Sequence, residues 1–216
     1  MNQAEDGTVC EVSQATPADL DWIFRLQIKT YSPHCSIARQ TLERWYGRNP
    51  EGFSVFTLNG LRIGHLTFVP LRANALESLL LGKLVENEIH EDCVHTPDEK
   101  DLIRNLYVES IILDSSNPHS QLPIKALTCL ARDFVPLISR ICSPTSLENL
   151  YALAASGRGE RLMKGLGFKQ VKSRDERRDQ RALYAVSFPA LEENISKLYE
   201  RRKRAVNRDL PSLVPY

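Results

Sequence analysis

One carboxylate interrupts a run of apolar and β-branched residues at positions 107–113, which reads YVESIIL. The pattern is typical of a strand, and it puts Glu109 among side chains that belong in a protein core. Burying a carboxylate is costly unless it is paired with a cation or used in chemistry. Glu109 is therefore a candidate proton-transferring group or a glutamate held in an ion pair or at an edge, and the residues leave both readings open.

The segment after this strand has the form of a phosphate site. The loop DSSNPHSQLP leads into an amphipathic stretch, KALTCLARDF, and free amides at a helix N-terminus bind phosphate. The loop contains no glycine, although glycine lets a backbone approach a phosphate closely. Pro123 has no N–H group, but proline costs little at a first helical position, and the amides of Ile124, Lys125 and Ala126 remain.

Ser156 stands between a predicted strand at 147–155 and a predicted helix at 157–166. A serine in this position caps a helix by accepting a hydrogen bond from a free amide. Its hydroxyl is also a candidate hydrogen-bonding group for a bound ligand, and one serine can serve both roles.

Histidine and cysteine spacing indicates no metal site. The stretch 90–95 reads HEDCVH, which fits no zinc motif and has no second half, so we expect no metal. The five cysteines are scattered and form no CxxC pair, which is typical of free thiols in a reducing cytoplasm. We therefore expect a cytoplasmic protein, and no apolar run approaches the roughly 20 residues of a membrane span.

Charge is unevenly distributed along the chain. Residues 157–208 hold 15 Lys/Arg against 7 Asp/Glu, while the remainder holds 13 against 20. The basic part, and its cluster at 164–181 in particular, either faces an anion or forms solvated surfaces, and nucleic acid is the alternative partner for 157–208. Seven carboxylates at 86–101 either attract a cationic amine or keep a loop soluble.

The elements that must position these groups follow from periodicity. A helix is predicted after Thr16-Pro17, with one buried stripe, and a second after Ser36. Asn59-Gly60 predicts a hairpin. Further strands are predicted at 8–13, 105–113, 147–155, 168–173 and 181–188, and further helices near 76–84 and at 124–139, 157–166 and 189–205. The stripe of the first helix consists of Leu20, Ile23, Phe24, Ile28 and Tyr31.

Two details of this assignment concern the candidate site. Pro136 predicts that the 124–139 helix kinks or ends early. Simple alternation puts Tyr107, Glu109 and Ile111 on one side of their strand and Val108, Ser110 and Ile112 on the other. The whole order predicts a mixed α/β (α+β) fold with helices on both faces of a mixed sheet, and the alternation of strand and helix between 105 and 168 predicts parallel neighbours there. We assign residues 1–188 to one domain and 189–216 to a basic helix and tail.

This order, together with ASGRGERLMKGLGFKQV at 155–171 and ALYAVSF at 182–188, resembles the GNAT superfamily of N-acetyltransferases. The resemblance covers roughly residues 8–188. Its most specific part is LMKGLGF (162–168), where the family ends a helix with a Leu-Gly-Phe turn. LRIGHLTFVPL at 61–71 has the glycine that enters the family's third strand, and YVESIIL resembles its fourth strand.

The resemblance implies a central, mostly antiparallel sheet flanked by helices on both faces, a cosubstrate and site residues. In the family the fourth strand splays from the fifth at a bulge, and its freed backbone binds the pantetheine arm of acyl-CoA. Glu109 then corresponds to the general base, and Ser156 lies near the thioester. The implied residues for binding acetyl-CoA or another acyl-CoA are Ile111, Ile112, Leu113, Gln121, Leu122, Ile124, Lys125, Ala126 and Arg158.

Two positions depart from the family pattern. Ile124, or Pro123 with a one-residue slip, replaces the first glycine of the pyrophosphate loop. Met163 replaces the tyrosine that commonly protonates the leaving thiolate, and a thioether cannot donate a proton. The expected function is an acyl-CoA-dependent N-acyltransferase acting on a small-molecule or protein amine. The alternative is a GNAT-like binding module without activity, and a homodimer is left open.

Overall fold

The computed structural model describes residues 9–31, 36–114 and 122–208, and within them the chain forms one seven-stranded sheet with six α-helices. The predicted mixed α/β class, with helices on both faces of the sheet, is confirmed. The strands are β1 (Cys10–Gln14), β2 (Phe53–Leu58), β3 (Leu61–Val69), β4 (Asn105–Leu113), β5 (Asn149–Leu153), β6 (Lys169–Lys172) and β7 (Leu183–Ser187). The helices are α1 (Leu20–Thr30), α2 (Arg39–Arg48), α3 (Ala73–Leu80), α4 (Leu122–Ile141), α5 (Gly157–Gly165) and α6 (Phe188–Arg208).

The sheet order is β1-β2-β3-β4-β5-β7-β6. Among the strands that the structure describes, only β4 and β5 are parallel neighbours, and every other neighbouring pair is antiparallel. Helix α4 makes the crossover that a parallel pair requires. The β2–β3 hairpin turns at Asn59 and Gly60, whose φ angles are 51° and 77°, as the Asn-Gly pair predicts.

Two hydrophobic cores lie on opposite faces of the sheet. Helices α4, α5 and α6 cover one face, and α1, α2 and α3 cover the other. Helix α4 runs through Pro136 to Ile141, so the expected early end is wrong. Its apolar side chains Phe134, Leu137 and Ile138 are buried on both sides of the proline, and this packing holds the helix together. Within the described ranges, no helix has the length and apolarity that a membrane crossing demands.

A β-bulge in β4 corrects the predicted alternation. Thr67 of β3 pairs with Ser110, but the next residue of β3, Phe68, pairs with Val108, so Glu109 is the extra residue. Val108 and Ile111 consequently line the same apolar cavity, although simple alternation put them on opposite sides. The bulge turns Glu109 and Ser110 together toward the α1 face, where both find polar partners.

Gly64 of β3 lets β4 approach closely, and we expect Gly64→Ala to destabilise the protein by about 1–3 kcal/mol. A Cβ at this position would lie 2.4 Å from the carbonyl oxygen of Ile112 and 2.7 Å from Leu113 Cδ2. The free energy of unfolding from urea titration measures the effect. Gly47→Ala is the matched control: nothing lies within 4 Å of its Cβ, so it should be neutral or stabilise α2. Equal effects of the two substitutions would contradict the crowding at Gly64.

Candidate active site

The parallel strands β4 and β5 separate part-way along their length. Their pairing runs from Asn105 opposite Asn149 to Val108 opposite Ala152 and goes no further. Beyond this point β4 continues to Leu113 along β3, while Leu153 of β5 pairs with β7. A cleft therefore opens between two adjacent strands, and Glu109 is the first β4 residue within it.

The carboxylate of Glu109 is held by three hydrogen bonds from two side chains. Gln27 Nε2, from α1, donates to both carboxylate oxygens at 3.2 and 3.1 Å. The hydroxyl of the neighbouring Ser110 donates to Glu109 Oε2 at 2.6 Å. These contacts fix the carboxylate on the α1 side of the sheet, at the point where β4 and β5 diverge.

Burial raises the pKa of Glu109 to about 8, and the negative charge of Glu86 acts in the same direction. The hydrogen bonds from Ser110 and Gln27 and the positive charge of Arg181 favour the ionised form, but they do not outweigh burial. A carboxyl group with this pKa exchanges its proton near neutral to mildly alkaline pH. This is the range in which a general base for an amine must work.

A buried ion-pair network lies next to Glu109. Glu86, in a 3₁₀ turn after α3, is 4% exposed; it accepts a hydrogen bond from the hydroxyl of Tyr107 and pairs with the guanidinium of Arg181. Arg181, in the β6–β7 loop, also lies 3.3 Å from Asp179. Burial, followed by the charge of Glu86, raises the pKa of Tyr107 well above its usual value. Tyr107 therefore stays protonated and serves as a hydrogen-bond donor to Glu86.

Arg177 anchors the β6–β7 loop on α3. It is 2% exposed, its Nη2 lies 2.8 Å from Asp179, and its Nη1 donates to the carbonyl oxygen of Leu79 at 2.7 Å. Since Asp179 also contacts Arg181, the loop and its ion pairs form one connected unit. This unit keeps Glu86 and Arg181 beside Glu109.

Comparison with solved structures identifies the architecture. The GNAT-like decarboxylase GphF, in complex with isobutyryl-CoA, is 16% identical over 82% of this chain and 99% of that chain, with a TM-score of 0.56. The loading GNATL domain of CurA from Lyngbya majuscula is 11% identical over 84% and 98%, also at 0.56. The chain has the GNAT fold.

A third solved structure with this fold is the ribosomal-protein-S18-alanine N-acetyltransferase from Escherichia coli. It is 12% identical over 83% of this chain and 94% of that chain, with a TM-score of 0.50. No protein-family model and no curated protein matches the sequence. The likeness at these identities concerns the fold, and the chemistry must be argued from the residues of this chain.

The GNAT fold brings together only part of the implied cosubstrate site. Ile111 and Leu113 are partly buried against the core that α4 covers, and Ile112 is 2% exposed. Helix α4 begins at Leu122, and Ala126 packs into the core. Gln121 and the side chains of Leu122, Ile124 and Lys125 lie outside the described part of the chain. Arg158 is exposed in the first turn of α5.

The β4–β5 cleft borders an apolar cavity of about 40 Å³. Val108 and Ile111 line it from β4, and Leu162 and Met163 line it from α5. Met163 is 8% exposed and supplies only apolar surface. Ser156 lies at the N-terminus of α5, where its hydroxyl accepts a hydrogen bond from the amide of Gly159 at 3.1 Å, as an N-cap does.

Two arginines of the basic cluster at 164–181 turn inward. Arg177 and Arg181 were expected to face an anion or solvent, but both are bound to carboxylates inside the protein. Two others, Lys164 and Arg178, pair with Glu160 and Glu88 at the surface. Carboxylates of the same protein thus neutralise part of the positive charge of this cluster.

Sequence reasoning missed Gln27, Glu86 and Arg181. Gln27 had a signal: it lies seven residues after Leu20 and four after Ile23, on the buried stripe of α1, and it is fully buried. The predicted stripe contained Ile28 instead, which is 46% exposed. Glu86 and Arg181 are 95 residues apart, and no local pattern predicts their contact.

Proposed function

We propose that this protein transfers an acyl group from acyl-CoA to an amine, with Glu109 as the general base. The observation that carries the proposal is the position of Glu109, a carboxyl group of raised pKa at the start of the cleft between β4 and β5. A carboxylate with an ordinary pKa near 4.5 would be a poor acceptor for the proton of an ammonium group, and the raised value brings it closer to the working range.

The β4 backbone supports binding of the pantetheine arm. From Glu109 to Leu113, the edge of β4 that faced β5 pairs with no other described strand, while the opposite edge remains paired with β3. Backbone N–H and C=O groups on such an edge can bind an extended ligand as though it were a further strand. The pantetheine arm contains two amide groups and fits this role.

Acyl transfer requires the release of two protons from the nitrogen. The ammonium group must lose one before its nitrogen attacks the thioester carbonyl, and the tetrahedral intermediate loses the other as the C–S bond breaks. Glu109 accepts the first proton. The second neutralises the departing thiolate, so the products are an amide, free CoA and one proton passed to solvent through Glu109. Met163 takes no part in this transfer.

Calorimetric titration with acetyl-, propionyl- and butyryl-CoA tests the cosubstrate. We expect binding with a dissociation constant in the range of about 1 μM to 1 mM that is usual for enzyme substrates. Ile111→Trp should abolish this binding, because the larger side chain fills the cleft beside β4. Val171→Trp is the matched control, since Val171 is 51% exposed on the edge strand β6.

Absence of heat with all three ligands at millimolar concentration would reject the proposed cosubstrate. Binding that is retained equally in Ile111→Trp and Val171→Trp would place the ligand elsewhere. Equal loss of binding in both variants would indicate general unfolding, which circular dichroism detects.

A CoA-binding module without catalysis is the second candidate. The observation that favours it is Met163, whose buried thioether stands where the family carries an acid. This candidate predicts acyl-CoA binding together with no thiol release in the presence of a panel of primary amines. Acyl transfer that depends on Glu109 would exclude it.

A further inference from the structure

A fully buried histidine lies behind the candidate base. His65 belongs to β3 and is 0% exposed, and its Nδ1 lies 3.4 Å from the hydroxyl oxygen of Ser110 and 3.4 Å from that of Thr67. Ser110 is in turn hydrogen-bonded to the carboxylate of Glu109 at 2.6 Å. The three side chains Glu109, Ser110 and His65 therefore form a continuous chain of polar contacts between β4 and β3.

The hydroxyl in the middle of this chain has one proton and accepts hydrogen bonds at its oxygen. When Glu109 is ionised, Ser110 donates its proton to the carboxylate, and only an Nδ1–H group of His65 can donate to the serine oxygen. When Glu109 is protonated, the carboxyl group donates to Ser110, whose own proton then turns to Nδ1 of His65. The imidazole must in that case carry its proton on Nε2.

The surroundings keep the imidazole neutral in both cases. Burial lowers the pKa of His65 to about 3. The two side chains that contact Nδ1 of His65, Ser110 and Thr67, are uncharged. The charged groups that act on Glu109 are Glu86, from the turn after α3, and Arg181, from the β6–β7 loop, while Tyr107 of β4 remains protonated.

Two buried polar atoms near Glu109 have hydrogen-bonding capacity that the described residues do not satisfy. His65 Nε2 and Gln27 Oε1 have no hydrogen-bond partner among the described residues, although both side chains are fully buried. Buried polar atoms usually have a partner. A role for Nδ1 in the proton chain would account for a buried histidine whose Nε2 has no partner among the described residues.

We propose that Ser110 and His65 are positioning residues for the proton of Glu109, and that the imidazole exchanges its Nε2–H tautomer for the Nδ1–H tautomer when Glu109 loses its proton. The O–H bond of Glu109 breaks and its proton leaves to solvent. In the imidazole the Nε2–H bond breaks and an Nδ1–H bond forms by exchange with water, so the ring stays neutral and no imidazolium is created. The coupling is a property of the folded protein; its value for catalysis rests on the proposed function.

Long-range ¹H–¹⁵N correlation spectra of protein labelled in its five histidines test this coupling directly, because they distinguish the two neutral tautomers. The His65 signals are assigned by their absence in His65→Gln. Between pH 5 and pH 10 we expect His65 to change from Nε2–H to Nδ1–H with a midpoint near pH 8, where Glu109 titrates. A single tautomer over this range would overturn the proposal.

Two hydroxyl variants supply the matched comparison. Ser110→Ala should abolish the tautomer change, whereas Thr67→Val should preserve it, because Thr67 does not contact Glu109. Ser110→Ala should also move the acid limb of the kcat/KM profile to higher pH by about one to two units, since it removes a hydrogen bond that favours the carboxylate.

A tautomer change that persists in Ser110→Ala would overturn the proposal. If the change occurs as expected but the protein transfers no acyl group, the proton chain stands and the proposed function fails, so the two failures are distinguishable.

Discussion

Glu109→Gln is expected to lower kcat/KM for acyl transfer by about 10²–10⁴-fold, the usual contribution of a general base. Glutamine keeps the size of the side chain and can still accept a hydrogen bond from Ser110, but it cannot take up a proton. The measurement is the release of free thiol from acyl-CoA with the best acceptor from a panel of primary amines. Calorimetric binding of acyl-CoA should be retained, since the pantetheine arm would contact the backbone of β4.

Glu77→Gln is the control for this substitution, because Glu77 is exposed on α3 and is not among the residues hydrogen-bonded to Glu109. Equal activity of Glu109→Gln and Glu77→Gln would contradict the proposed role of Glu109.

The stability of Glu109→Gln provides an independent check on the raised pKa. In the folded wild-type protein the carboxyl group holds its proton up to a pH of about 8, against 4.5 without the protein environment. Proton binding at Glu109 therefore stabilises the folded state. This stabilisation is fully present below pH 4.5 and is lost as the pH rises toward 8. The unfolding free energy of Glu109→Gln should consequently rise relative to wild type between pH 4.5 and 8.

Much of the fold follows from local patterns in the sequence. The Asn59-Gly60 turn, the strand at 105–113 and the helix that begins at Gly157 all appear where periodicity and capping residues predict them. These signals act between residues a few positions apart, so one sequence is enough to read them. The early helix end expected at Pro136 was wrong because packing on both sides of α4 outweighs the helix-breaking tendency of one proline.

The sequence predicts less of the candidate site, because the contacts in the site join residues that are far apart in the sequence. The unusual carboxylate of Glu109 was visible from its apolar neighbours, but the bulge that turns it toward α1 depends on the register with β3. Gln27 is 82 residues from Glu109. The available clue was a polar residue, Gln27, on the buried stripe of α1. Such a residue indicates that a buried hydrogen-bond partner exists, but the sequence does not identify that partner.

The buried network next to Glu109 has both structural and electrostatic consequences. Glu86 and Arg181 act on Glu109 in opposite directions, Glu86 raising its pKa and Arg181 lowering it. Burial lowers the pKa of Arg181, but the charge of Glu86 more than compensates, so the guanidinium remains charged. The ion pair therefore holds the β6–β7 loop in place, and Arg181 offsets part of the increase in the pKa of Glu109 that Glu86 causes.

Arg181→Met is expected to destabilise the protein by about 3–5 kcal/mol, because it leaves the buried carboxylate of Glu86 without its cation. Methionine retains much of the side-chain volume, so the loss is mainly electrostatic. Urea denaturation at pH 7 measures it. The matched control is Arg178→Met, three residues away in the same loop, where the arginine and its partner Glu88 are 55% and 50% exposed. An exposed pair contributes at most about 1 kcal/mol.

A double-mutant cycle separates loss of the ion pair from loss of packing. Glu86→Gln combined with Arg181→Met should recover part of the stability lost in Arg181→Met, because no uncompensated charge then remains at this position. Additive losses would mean that Arg181 acts through packing alone. Coupling between the two sites would instead establish that charge neutrality of the pair, whose partners are 95 residues apart in the sequence, holds the β6–β7 loop against Glu109.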